Sequence, residues 1–131
     1  MEFDLLIQRA RQVLDPRQLT KRAFAGSVAA ALLTREGNIY TGVNIDVPCS
    51  MGFCAEHAAA AAMITAGESQ IAALVAVHRT GTIIPPCGRC REFLYQLNPE
   101  NLHCRILLSH GRVVTLRQLL PELWDEELEV Q

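Results

Sequence analysis

Residues 71–109 read IAALVAVHRTGTIIPPCGRCREFLYQLNPENLHCRILLS, and their order decides the fold. Ile71 to His78 is a nearly continuous apolar run of strand length. Cys87 to Leu97 has helical character and is stopped by Asn98-Pro99, and Cys104 to Ser109 is the next strand. Strand, helix, strand in this order is a crossover unit, so its two strands run parallel in one sheet. Strands this apolar need cover on both faces. That requirement predicts an α/β chain built as a three-layer α/β/α arrangement.

Upstream, Ser27 to Thr34 (SVAAALLT) and Ile39 to Ile45 (IYTGVNI) form a hairpin across the turn Arg35-Glu36-Gly37-Asn38. Residues 2–14 place Phe3, Leu6, Ile7, Ala10, Val13 and Leu14 at helical spacing, and Asp15-Pro16 ends the run. A second helix runs from about Cys54 to Ala66, with Gly67 as its stop. Downstream, His110-Gly111 turns into a short Val113-Val114 strand, and Thr115 to Leu120 is a last helical turn or two closed by Pro121. The order α-β-β-α-β-α-β-β-α predicts a central mixed five-stranded sheet. With no repeat, linker or low-complexity segment, the 131 residues read as one domain, 1–131.

Half the residues are hydrophobic and a fifth are charged, which is globular composition. The formal net charge of −2 offers no basic field for a nucleic acid. Trp124-Asp125-Glu126-Glu127-Leu128-Glu129 is acidic and reads as a solvated tail. No apolar run approaches the ~20 residues of a membrane span. Met1-Glu2-Phe3-Asp4 lacks the positive and apolar regions of a signal peptide. Cytoplasmic location is the expectation, with neither membrane nor nucleic acid as partner. Five cysteines, an odd number, argue against a disulfide framework in a reducing compartment and point to metal binding or catalysis.

Pro86-Cys87-Gly88-Arg89-Cys90 is a C-x-x-C at a helix start. Three chemistries use this spacing. A thioredoxin-like redox pair would leave the other cysteines unexplained. A structural zinc site would close a tetrahedron with Cys49 and Cys54, themselves spaced C-x4-C. A catalytic zinc site would use Cys54, Cys87 and Cys90, leave one position open for water, and need a nearby proton carrier.

Residues 53–63, FCAEHAAAAAM, offer that carrier. Alanine is the best helix former, so Ala58 to Ala62 read as a closely packed helix. A carboxylate aimed into such surroundings is costly without a task. With Cys54 at the cap and Glu56 in the first turn, both reach one site, and a hydrolytic centre needs that carboxylate where a structural one does not. Two helix N-termini would offset the excess negative charge of three thiolates, and Arg89, Arg91 or His57 would add to this.

Cys54-Ala55-Glu56 with Pro86-Cys87-Gly88-Arg89-Cys90 resembles the [HC]-A-E…P-C-x-x-C signature of the zinc-dependent cytidine deaminase superfamily. The likeness extends to Val28–Thr34, to Thr41-Gly42-Val43-Asn44-Ile45-Asp46 and to Leu119-Leu120-Pro121. It points to the small homotetrameric cytidine deaminase branch. Gly26-Ser27-Val28-Ala29 and Pro86–Arg91 are also similar to blasticidin S deaminase. The resemblance implies one Zn²⁺ per chain on Cys54, Cys87 and Cys90, with Glu56 as proton shuttle. It implies Asn44 and Asp46 on the sugar hydroxyls, and the Ala55 N–H and Pro85 C=O on the pyrimidine. The implied reaction converts cytidine or deoxycytidine to the uracil nucleoside and ammonia, in pyrimidine salvage, by a homotetramer.

Three positions depart from the family pattern. Gly26 stands where a phenylalanine is usual, with Phe24 as a possible substitute. His57 stands where an arginine follows the glutamate, and the loop from Asn44 to Cys54 is shorter by about one residue. These leave open a modified cytosine nucleoside such as blasticidin S as substrate. A non-catalytic, zinc-stabilised binding module with Cys49 as fourth ligand is the reading from another class. Trp124 and Phe53 read as packing residues, with an aromatic wall as the alternative, and Cys104 reads as core.

Overall fold

The structure, a computed structural model, describes residues 2–128. Met1 and Glu129, the outer ends of the predicted N-terminal segment and acidic tail, lie outside the described residues. The elements in chain order are α1 (Glu2–Val13), β1 (Arg17–Gln18), β2 (Phe24–Thr34), β3 (Ile39–Asp46), α2 (Ala55–Thr65) and β4 (Ile71–His78). They continue as β5 (Ile83–Ile84), α3 (Gly88–Leu97), β6 (Arg105–Leu107), β7 (Val113–Thr115) and α4 (Leu116–Leu119), with short 3-10 turns at Pro99–His103 and Ser109–Gly111.

The principal strands lie in the order β3-β2-β4-β6-β7. Among the described residues only β4 and β6 are parallel, as the crossover through α3 requires, and the other pairs are antiparallel. The expected five-stranded sheet is corrected to seven strands among the described residues. The additions are β1 and β5, two residues each, which pair with β2 and β4. So short a segment has no periodicity to read, and only its ladder partner defines it as a strand.

Alternation along the two central strands builds the layers. Ala29, Ala31, Ala73, Val75 and Val77 pack with Phe3, Leu6 and Ala10 of α1. Ala30, Leu32, Leu74 and Ala76 face the other way, onto Ala59, Ala60 and Met63 of α2 and Leu94 of α3. Each strand is therefore buried on both faces, which is why its sequence is a continuous apolar run. Helix α2 sits unusually close to the sheet at Gly42, where an added Cβ would lie 2.4 Å from the Ala59 nitrogen. Small residues on both sides permit this approach. It brings the N-terminus of α2 to the edge of the sheet beside β3. No helix among the described residues is long and apolar enough to cross a membrane.

Candidate active site and metal centre

The N-termini of α2 and α3 converge. Cys54 is the N-cap of α2 and Cys87 the N-cap of α3, both in extended backbone and neither making a side-chain cap hydrogen bond. Cap positions ordinarily hold Ser, Thr, Asp or Asn, whose oxygens satisfy free N–H groups. Two cysteines that do not cap leave their sulfurs available for something else. Cys90, in the first turn of α3, is buried. The Sγ atoms of Cys54, Cys87 and Cys90 all lie within 4.8 Å of one another, with Cys54 and Cys87 at 3.4 Å. Thiolates on a tetrahedral zinc, at about 2.3 Å from the metal, stand about 3.8 Å apart. The soft, tightly grouped donor set therefore fits zinc.

Burial, with the neighbouring Cys87, pushes the Cys54 thiol up to about 11. Burial and the Glu56 carboxylate push Cys90 further up. At Cys87 burial also opposes ionisation, but the Cys90 N–H and the sulfurs of Cys54 and Cys90 outweigh it and draw this thiol down. Cys49, the fourth cysteine of the structural-zinc alternative, is exposed and lies outside this group. Cys104 is core, as expected, with burial raising it to about 12.

Glu56 occupies the first turn of α2 and is only 3% exposed. Its burial raises it above the usual carboxylate range. A cavity of about 320 Å³ opens beside it, in the range of ligand pockets. Asn44, Asp46, Ala55, Glu56 and Pro85 line it, and Cys54 and Cys87 open into the same wall. The structure thus brings together every site residue expected from the sequence, with Cys90 behind the wall.

Asn44 has a structural duty as well. The β2–β3 register shifts between Ala25 and Ala29. There the Asn44 Oδ1 accepts from the Val28 N–H at 2.9 Å. Its Nδ2 donates to Ser27 Oγ at 3.0 Å and to Asp46 Oδ2 at 3.2 Å. Both amide hydrogens are engaged, so a bound hydroxyl meets the spare Oδ1 lone pair or the Asp46 carboxylate. In the sequence Ser27 figures only as the start of a strand and within the blasticidin S deaminase likeness, with no partner; the irregular register brings it to Asn44.

The departures from the family pattern have physical causes. Gly26 has φ +84°, and an added Cβ would lie 2.1 Å from the Asp15 carbonyl oxygen, so no aromatic side chain fits there. Phe24 pairs across the ladder with Asp46 but is not part of the cavity wall. His57 is stacked between the rings of Phe53 and Phe93, and burial followed by the Arg89 cation lowers it below the usual imidazole range. Its ring is therefore engaged in stacking with both neighbours. Arg91 is turned away, donating to the carbonyls of Pro86 and Leu119. Arg89 stays at the cavity and donates to the Gly52 carbonyl. Phe53 lines the cavity, whereas Trp124 is exposed beside Tyr95 and Asp125.

The sequence profile of the cytidine and deoxycytidylate deaminase zinc-binding region matches residues 5–106. A cytidine deaminase of Mycobacterium tuberculosis is 35% identical over 124 residues, covering 93% of this chain and 89% of that protein. A blasticidin-S deaminase of Bacillus cereus is 29% identical over 106 residues, 72% of this chain and 74% of that one. The crystal structure of cytidine deaminase from Mycobacterium leprae superposes with a TM-score of 0.78 at 27% identity, over 93% of this chain and 99% of that one. The chain belongs to the zinc-binding cytidine and deoxycytidylate deaminase family. It is accordingly a hydrolytic deaminase of the cytidine deaminase type with one zinc ion per chain, and the three-cysteine group is positioned to hold that ion.

Proposed function

We propose that this chain deaminates a free cytosine nucleoside, cytidine or deoxycytidine, giving the uracil nucleoside and ammonia. The observation that carries this reading is Glu56. A carboxylate buried to 3% exposure lines the same cavity as two of three grouped thiols. Cys54, Cys87 and Cys90 would hold the zinc, which when bound would act as a Lewis acid and make a water acidic enough to react near neutral pH. Glu56 takes one proton of the attacking water at its carboxylate oxygen and delivers it to the ring nitrogen beside C4; it then takes the second, from the hydroxyl now on C4, and delivers it to the amine as the C4–N bond breaks and ammonia leaves. Its raised affinity for a proton suits a group that must hold one between these transfers. The Ala55 N–H and the Pro85 carbonyl orient the pyrimidine, and Asn44 and Asp46 receive the sugar hydroxyls.

Asp46 supports a nucleoside over a nucleotide. Its carboxylate shares the cavity wall with Asn44, where a phosphate would meet like charge. The enzyme works as one catalytic unit over residues 1–131, in the cytoplasm, in pyrimidine salvage, and without nucleic acid or membrane as partner. Homotetramer formation is supported by α2, whose outward residues Ala61 and Ile64 are apolar and exposed. Sedimentation velocity is expected to give a species near four chains, and a monomer would overturn this part.

A specific observation favours a second reading. Gly26 leaves the cavity without the aromatic side chain usual at that position, which suits a bulkier nucleoside such as blasticidin S. Parallel absorbance assays on cytidine, deoxycytidine, deoxycytidylate and blasticidin S decide between them. Glu56→Gln is expected to keep one zinc per chain and to lose roughly 10²- to 10⁴-fold in turnover. Full activity in that variant would overturn the mechanism.

A further inference from the structure

Behind the thiols lies a feature that neither zinc ligation nor proton transfer uses. His57 follows Glu56 and sits one helical step, three residues, beyond Cys54 on α2. Phe93 stands in the same relation to Cys90 on α3. The His57 and Phe93 rings are stacked at 4.3 Å between centroids and 11° between planes. On its other face His57 stacks on Phe53 at 4.9 Å and 27°. Phe53 is in turn fixed to β3 by paired backbone hydrogen bonds with Ile45, both 3.0 Å. Three flat rings in a row thus join the sheet edge, the first turn of α2 and the body of α3.

Resting on the zinc-deaminase reading above, we propose that the Phe53–His57–Phe93 stack is a brace holding the two cysteine-bearing helix starts at zinc-binding separation, with His57 as a positioning residue. The geometry gives the reason. Cys54 reaches the metal from α2, and Cys87 and Cys90 reach it from α3. Any sliding of one helix past the other changes the sulfur spacing directly. A flat ring inserted one turn behind the sulfurs, with an aromatic on each face, resists that sliding through dispersion and ring-quadrupole contacts. The arginine usual at this position brings charge to the thiolates. The histidine brings stacking instead, and a neutral ring suffices for that role.

The test compares zinc transfer to a chromogenic chelator from wild-type, His57→Ala and His57→Phe holoproteins loaded with one zinc per chain. His57→Ala is expected to weaken zinc retention about 10- to 100-fold, the usual effect of removing a group that supports metal ligands. His57→Phe, which restores a flat ring without a titratable nitrogen, is expected to match the wild type. In the cobalt(II)-substituted proteins, the visible ligand-field bands should shift in His57→Ala and not in His57→Phe. If His57→Ala does not fold, Phe93→Leu keeps apolar volume without stacking and should release zinc faster than the wild type. Wild-type retention in His57→Ala or Phe93→Leu overturns the brace, as does His57→Phe being as leaky as His57→Ala. Deaminase assays on the wild type keep the two readings apart. Tight zinc with no turnover of any cytosine nucleoside would overturn the reaction, while the release rates still decide the brace.

Discussion

At Gly26 a single methyl group has no room. The backbone is left-handed at φ +84°, and the Asp15 carbonyl occupies the place of a Cβ. The Asp15 N–H also donates to the Gly26 carbonyl at 3.2 Å, so the segment after α1 is seated directly on β2. Gly26→Ala is expected to lower unfolding free energy by roughly 2–4 kcal/mol, adding backbone strain to overpacking. Urea unfolding measures it, and a loss under half a kilocalorie would show that the segment yields freely. The departure from the family pattern at Gly26 is thus a packing decision made at one residue of β2. Asn44 shows a double character, since its amide oxygen accepts from a backbone N–H at the bulge while the residue also lines the cavity.

At the scale of elements, the site is a meeting of two helix N-termini. Their free N–H groups and dipoles favour anions there by a few tenths to about one kcal/mol each. This offsets part of the charge that three thiolates bring to one metal. The loop before α2 carries Cys49 and Ser50 in left-handed conformation, at φ 64° and 57°, and keeps the Cys49 sulfur outside the thiol group. Cys49→Ala is therefore expected to keep one zinc per chain and wild-type thermal stability. Loss of zinc in that variant would restore the four-cysteine structural site. The principal elements were legible in the sequence because each has either helical spacing or a full apolar run. The ladders of β1 and β5 were not, since two residues form a strand only by virtue of the partner beside them.

At the scale of the molecule, the metal and the fold are linked. The thiols of Cys54 and Cys90 are held protonated by burial, so zinc must displace protons to bind. Zinc affinity is expected to fall as pH is lowered, about tenfold per pH unit for each proton displaced, as read by chelator competition between pH 8 and 6. Because zinc binds the folded chain, its removal should lower Tm by roughly 10 °C relative to zinc at a hundred times its dissociation constant. Scanning calorimetry with and without chelator measures this, and an unchanged Tm would show that the metal contributes nothing to the fold.

By itself the sequence determined the layer architecture, the candidate sulfurs Cys49, Cys54, Cys87 and Cys90, and the candidate carboxylate Glu56. All three are local patterns of spacing: apolar runs of strand length, C-x-x-C at a helix start, and a glutamate two residues past a cysteine. Only the tertiary structure decided that Cys49 stays out of the metal group, that His57 is stacked with Phe53 and Phe93, and that Ser27 and Asn44 meet at a bulge. Those outcomes depend on contacts between residues far apart in the chain, such as His57 with Phe93 and Ser27 with Asn44. Their energies come from packing and burial, which have no value until the layers have closed.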